Sequence, residues 1–179
     1  MDSKYIYMTG FAGAFGTYRM ALENESLIRA DFSCCFSDHL IESAEKYLKE
    51  TETESIFPDS GEFFAAGSGG LENLFYNLSV EYGEKIVVDL FSIPIRQETV
   101  ELCELFGLNP YRMDSTGVYI CISNDPEKVP VAFFKNPAVP VIIGRTADGR
   151  GAFFDMDGDR RCMEPLHYDD PYGYIKSVY

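Results

Sequence analysis

Ala65-Ala66-Gly67-Ser68-Gly69-Gly70-Leu71-Glu72-Asn73-Leu74 is the stretch on which the reading of this chain turns. Three glycines and a serine run directly into an apolar stripe, Leu71, Leu74, Phe75 and Leu78. Their spacings of three, four and seven belong to one face of an amphipathic helix, and Gly83 ends it. A glycine-rich loop opening a helix leaves backbone N–H groups pointing outward at the positive end of the helix dipole. A phosphate or carboxylate can be held there. The same glycines can instead serve only a tight turn and close packing, so both readings stand at this point.

Upstream, residues 4–9 read as a strand, with Tyr-Ile-Tyr-Met at its centre. A second glycine-rich turn follows, Gly10-Phe-Ala-Gly13-Ala-Phe-Gly16-Thr17, and then a helical run from about 17 to 29 with Thr17 placed as its cap. Phe32 and Ser33 interrupt the pattern. Ser37 is expected to cap a further helix with Leu40, Ile41, Ala44, Tyr47 and Leu48 on one face. Residues 49–59 are polar and acidic, closed by Pro58, and read as an exposed connection.

Downstream of the central helix, residues 85–91 form a near-continuous apolar run, the pattern of a strand covered on both faces. Pro94 precedes a helix over 96–106, and Gly107 sits where a helix C-terminus favours a left-handed residue. Asn109-Pro110 makes a turn, and 117–123 is another strand. Pro126, Pro130, Pro137 and Pro140 keep any helix between them short. Residues 141–146 read as a strand, and Asp148-Gly149 and Asp157-Gly158 as hairpin turns bracketing a strand at 151–155. From about His167 the chain is polar and tyrosine-rich, a tail on the body. Strand–helix–strand crossovers followed by hairpins predict one α/β (α+β) domain over residues 1–179, a mixed sheet flanked by helices.

Composition narrows the partners. A net charge of −14 repels the phosphates of nucleic acid and of an anionic membrane surface. No run of about 18 apolar residues is present to span a bilayer. The first residues lack the basic flank and apolar core of a signal peptide, so a cytoplasmic location is expected. Five cysteines, an odd count without a C-x-x-C pair, and two histidines argue against zinc and for reduced thiols.

Other chemistry-bearing residues read as structural. In Asp155-Met-Asp157-Gly158-Asp159 the glycine comes fourth, whereas a calcium loop wants it sixth, so this is a turn. The adjacent Cys34 and Cys35 have only His39 nearby and are not assigned catalysis. Asp114, Asp169 and Asp170 read as solvated loop acids rather than magnesium ligands. No catalytic and no metal-binding residue is assigned.

Taken together, these motifs resemble the C-terminal domain of the aminoimidazole ribonucleotide (AIR) synthetase-related superfamily. Gly13-Ala-Phe-Gly16-Thr17 is similar to that family's G-x-E-G-T, and Gly69-Gly70-Leu71 before a helix to its G-G-L. Ile93-Pro94-Ile95-Arg96-Gln97-Glu98, then Cys103-Glu104-Leu105-Phe106-Gly107-Leu108-Asn109-Pro110, resembles its I-P-V-R-E-E…C-E-L-L-G-L-D-P, the most specific of the set. Ser115-Thr116-Gly117 and Ile142-Ile143-Gly144-Arg145 sit where the family has S/N-x-G and I-G-x-[VI]. Within the superfamily the chain looks most like the hydrogenase-maturation protein HypE and AIR-synthetase-like relatives.

The resemblance implies an ATP-using family of two α/β domains that activates an amide-like oxygen by phosphorylation and commonly dimerises. It implies Gly67, Ser68, Gly69 and Gly70 as a phosphate cradle, with Arg96 and Arg145 as side-chain anion ligands, since arginine's fork suits phosphate. Gly13, Gly16 and Thr17 form the second glycine turn. The departures are equally specific. The family's N-terminal domain, which supplies most ATP- and magnesium-binding acids, is expected to be absent. Its His-Asp ahead of the glycines is Ala65-Ala66 here, the glutamate of its G-x-E-G-T is Phe15, and the sequence closes on Lys176-Ser-Val-Tyr179 instead of a reactive cysteine.

Two functions are therefore expected. One is a free-standing, non-catalytic module that binds a ligand or partner. The other is half of an ATP-dependent AIR synthetase- or HypE-like enzyme, completed in trans by a separate ATP-binding N-terminal domain protein. ATP or phosphate is a cofactor only with such a partner. A homodimer is expected under either, because a domain built to pack on a sister domain keeps an apolar face.

Overall fold

The buried strand Tyr5–Thr9 (β1) is central to a mixed sheet, with Ile6 and Met8 fully enclosed on one face. The computed structural model describes residues 3–51, 62–124 and 140–165. After β1 come helices Ala14–Glu23 (α1), Glu25–Asp31 (α2) and Cys34–Thr51 (α3), then strand Glu62–Ala65 (β2) and helix Gly70–Tyr82 (α4). Strand Lys85–Asp89 (β3), a single 3-10 turn Leu90–Ser92 and helix Gln97–Phe106 (α5) follow. Strands Tyr119–Ser123 (β4), Val141–Ala147 (β5), Gly151–Met156 (β6) and Asp159–Cys162 (β7) complete the described chain.

The seven strands among the described residues are ordered β2-β4-β1-β5-β3-β6-β7. The α/β expectation of a mixed sheet with flanking helices holds, but its balance differs from the crossovers read in the sequence. Only β3 and β6 run parallel, and every other described pair is antiparallel. The turn at Asp157-Gly158 does join a hairpin, β6 to β7, with both residues at positive φ. The turn at Asp148-Gly149 does not: β3 lies between β5 and β6, so those strands never pair. Dipeptide chemistry reports a reversal of the chain but not which strand fills the space between its arms.

Strand β3 also departs from expectation. Ile86 and Val88 are buried, Val87 is half-buried and Asp89 exposed, so among the described residues helices cover β3 on one face. That covered face is where Leu71, Phe75 and Leu78 of α4 meet Ile86, Val88, Ile120, Ile143 and Phe154. Burying such side chains contributes roughly 1.5–3 kcal/mol each. A second core, free of strands, packs Tyr18, Met20, Ile28, Leu40, Ala44 and Leu102 among α1, α2, α3 and α5.

Local boundaries shift for identifiable reasons. Helix α1 begins at Ala14, because Gly13 takes the left-handed conformation ahead of it. Thr17 is consequently inside the helix and is not its cap: its hydroxyl donates to the Gly13 carbonyl (2.9 Å) and lies 3.0 Å from Thr99 Oγ1 of α5. The run to residue 29 breaks at Asn24, whose amide side chain donates to the Met20 carbonyl at 2.9 Å and closes α1. Ser37 is likewise not a cap but a buried residue inside α3, which starts at Cys34. Residues 49–51 continue α3, and helix α5 starts one residue after Arg96. Residues 52–59 of the acidic connection, Pro126, Pro130 and Pro137, and the tail from His167 lie outside the described residues.

The thiols divide by burial. Cys34, Cys35 and Cys162 are exposed, while Cys103 and Cys121 are buried. Burial pushes the Cys103 thiol up to about 12, beside Met113 Sδ at 3.0 Å. Three cysteines are expected to react quickly with a disulfide reagent in the folded protein, and two only after unfolding. The sign of the pH dependence follows. The unfolded thiol ionises near 9.0 while the folded one holds its proton to about 12. Stability is thus full below pH 9 and falls as pH rises through the folded value, by at most about 1.4 kcal/mol per pH unit from this group. Urea titrations at rising pH check this, with Cys103→Ala expected to flatten the slope.

Candidate ligand-binding site

Two glycine turns far apart in sequence meet on one loop. After β1 the chain turns at Gly10 to Gly13, and after β2 it turns at Gly67 to Gly70. Residues 113–117, ahead of β4, lie between them. The Gly13 amide donates to Ser115 Oγ (2.9 Å) and the Gly16 amide to the Asp114 carbonyl (2.9 Å). From the same loop the Ser115 amide donates to the Gly67 carbonyl at 3.1 Å. Ser115 is fully buried, and its hydroxyl donates onward to the Met113 carbonyl (3.0 Å). Its hydroxyl and amide thus hold the two turns in register, while its carbonyl accepts from the Val118 amide (2.9 Å) of the same loop.

At the start of α4 the amides divide into spent and open. The Gly70 amide donates to the Gly67 carbonyl (2.9 Å), and the Glu72 amide to the Tyr111 carbonyl (3.0 Å) of the turn at residues 109–112. Gly70 has a φ of 68°, and a Cβ there would lie 2.6 Å from the Tyr111 oxygen and 2.7 Å from the Arg112 carbonyl carbon. Only glycine lets that turn settle on the helix end. Gly67 and Ser68 are exposed, and among the described residues the amides of Gly67, Ser68 and Gly69 have no hydrogen-bond partner. This tripeptide is the part of the loop open to an anion.

The positive end of α4 carries a charge from within the chain. Glu72, in the first helical turn, is 1% exposed. Its carboxylate accepts from Arg112 Nε (2.8 Å) and Nη2 (3.1 Å), from Arg161 Nη2 (3.3 Å) and from the Glu164 amide (3.2 Å). A single acid therefore ties α4, the 109–112 turn, β7 and the chain beyond it. Sequence reading missed this cluster. An acid in a first helical turn is commonplace, and its partners stand 40 and 89 residues away.

The two arginines of the sequence reading part company. Arg96 borders the first glycine turn, where Ala12 donates to the Pro94 carbonyl (2.9 Å). Its guanidinium carbon lies 4.4 Å from the Phe11 ring centre, 5.9 Å from Tyr18 and 5.8 Å from Tyr47. Burial pushes the Tyr18 hydroxyl upward, and the charge of Arg96 opposes it. Arg145 is not with the glycine turns. It points from β5 beside Val87 of β3, on the sheet face opposite Ile86, Val88 and α4. The acids near the turns are engaged: Asp114 Oδ1 accepts from the Thr116 amide (3.0 Å) and hydroxyl (2.7 Å), and its Oδ2 lies 3.7 Å from Arg19. Among the described residues no group of three or more His, Cys, Asp and Glu could hold a metal ion.

Comparison with solved structures shows the same mixed-sheet α/β fold in named proteins. E. coli HypE, a hydrogenase maturation protein, superposes with a TM-score of 0.68 at 17% identity, over 95% of this chain and 52% of that one. A HypE in complex with ATP gives 0.63 at 18% identity, over 92% and 51%. Thiamine monophosphate kinase from Aquifex aeolicus gives 0.54 at 18% identity, over 90% and 52%. The chain spans about half the length of these proteins. No protein-family model and no curated protein matches the sequence. Among the described residues no helix is long and apolar enough to cross a membrane.

Proposed function

We propose that this chain is a ligand- or partner-binding module of the AIR synthetase C-terminal type, without catalysis of its own. The observation that carries this reading is the state of the α4 N-terminus. The amides of Gly70 and Glu72 are consumed by the Gly67 and Tyr111 carbonyls, and the buried Glu72 carboxylate supplies the negative charge a helix end attracts. What is left open, Gly67-Ser68-Gly69, is enough for one small anion, and among the described residues no cluster of three or more acids, histidines or cysteines accompanies it. The chain alone is expected to hydrolyse no ATP above background. Steady ATP turnover by the purified chain, abolished by Ser68→Asp at the exposed tip of the loop, would overturn the reading.

A second reading is favoured by the half-length match to a HypE that holds ATP and to a kinase. Here the chain is one half of an ATP-dependent enzyme, and a separate ATP-binding domain protein supplies the rest. Its test is ATP turnover that appears only on mixing the chain with such a partner and is lost with Ser115→Pro, which breaks the clamp between the glycine turns.

A further inference from the structure

A pocket of about 290 Å³ opens between the 3-10 turn after β3, the 109–112 turn, β6 and β7. Most of its wall is apolar, from Leu90, Leu108, Pro110, Phe154 and Met156. That wall is set before any ligand arrives. The 109–112 turn is fastened to α4 by the Glu72 amide on the Tyr111 carbonyl (3.0 Å) and by Arg112 on the Glu72 carboxylate (2.8 Å). A pocket held in this way loses little freedom on filling. Its size, at the lower end of small-molecule sites, suits one substituted ring.

Three polar side chains complete the lining, Asn109, Tyr111 and Arg161, and what they leave unspent is donors. Asn109 Oδ1 accepts from the Tyr111 amide (3.0 Å), which leaves its NH2 group. The Tyr111 hydroxyl makes no bond among the described residues. Burial pushes it upward, with the charge of Arg161 opposing, so it is a neutral phenol with a proton to donate. Arg161 gives one N–H to Glu72 (Nη2, 3.3 Å), and its Nε and Nη1 make no bond among the described residues. Among those residues no carboxylate lines the pocket. The charge of Arg161 is met from outside it by Glu72, so a ligand need bring no charge, and an anion would compete with Glu72 for the guanidinium.

The apolar wall favours a flat ring over a saturated one. The Tyr111 and Phe154 rings stand 5.2 Å apart at 45°, and the Arg161 guanidinium carbon lies 5.4 Å from the centre of Phe154. Aromatic rings, a guanidinium plane and the Met156 thioether each attract an aromatic partner beyond the area they bury. We propose that this pocket binds a small, uncharged aromatic compound, its ring against Tyr111, Pro110 and Met156 and a carbonyl-type acceptor turned to the Tyr111 hydroxyl and Arg161. Gly67 to Gly70 do not line the pocket, so it stands or falls apart from the ATP experiments above.

The test is an amide-resolved NMR titration of the whole chain with three probes of one size: benzamide, its saturated counterpart cyclohexanecarboxamide, and benzoate. Benzamide is expected to give saturable shifts centred on Leu108, Tyr111, Met156 and Arg161, and to bind about fivefold or more tighter than either of the others. Tyr111→Phe, which removes only the hydroxyl, should weaken benzamide by about threefold to tenfold. Met156→Trp, which fills the pocket from a half-buried position, should abolish binding. Unchanged urea midpoints show that both variants fold. Val80→Ser, at an exposed position of α4, should bind as the parent does. Absence of saturation, shifts centred elsewhere, equal binding of cyclohexanecarboxamide or of benzoate, or equal binding by Tyr111→Phe would overturn the proposal.

Discussion

Replacing Gly70 with alanine is expected to destabilise the protein by about 3–4 kcal/mol, read as a lowered urea midpoint with an unchanged slope. Two costs combine. A left-handed residue with a side chain carries strain of about 1–2 kcal/mol. The new Cβ would also lie 2.6 Å from the Tyr111 oxygen and 2.8 Å from the Arg112 Cα, which are backbone atoms that no rotamer change can move aside. The 109–112 turn must lift, and the bond from the Glu72 amide to the Tyr111 carbonyl is lost with it. Gly67→Ala is the control: nothing lies within 4 Å of its Cβ position, so a change within about 0.5 kcal/mol is expected. Equal effects at the two glycines would show that the 109–112 turn does not rest on α4.

Replacing Glu72 with alanine is expected to cost about 3–5 kcal/mol, the range for removing one partner of a buried ion pair. The cost does not measure the strength of the pair. It arises because Arg112, 15% exposed, keeps its charge after its two-pronged partner has gone, with the exposed Glu164 as its remaining acid among the described residues. The Glu164 amide loses its acceptor as well. The double variant Glu72→Met with Arg112→Met should recover much of the loss, because a well-packed apolar pair avoids the stranded charge. Additive effects of the two single substitutions would mean that the residues do not act as a pair. Activity assays cannot substitute for this cycle, since the cluster touches no open part of the glycine loop.

Much of the fold was legible because its signals are local. Helix α4 follows the stripe Leu71, Leu74, Phe75 and Leu78 and stops at Gly83, where the left-handed glycine closes it. Helix α5 lies between Pro94 and Gly107 for similar reasons. Strand β2 is not legible in the sequence, because Glu62–Ala65 is four residues long and its partner among the described strands, β4, is nearly sixty residues away. Helix α1 starts early because Gly13 is held by Ser115, which no neighbouring residue reveals. Of the candidate site, the glycine loop and its companion turn were readable as composition. The spent amides, the Glu72 cluster and the separation of Arg145 from Arg96 were not.

The sequence by itself determined most of the helices, the longer strands, several of the glycines that end or bend them, and that a mixed sheet is flanked by helices. Periodicity and turn chemistry act over a few residues, so they survive without knowledge of neighbours. Only the tertiary structure decided that β3 inserts between β5 and β6, that Tyr111 takes the Glu72 amide at the start of α4, and that Lys85 and Arg145 share one face of the sheet. Each of these is a contact between groups remote in sequence, and a contact of that kind is fixed by packing rather than by any residue's own preference.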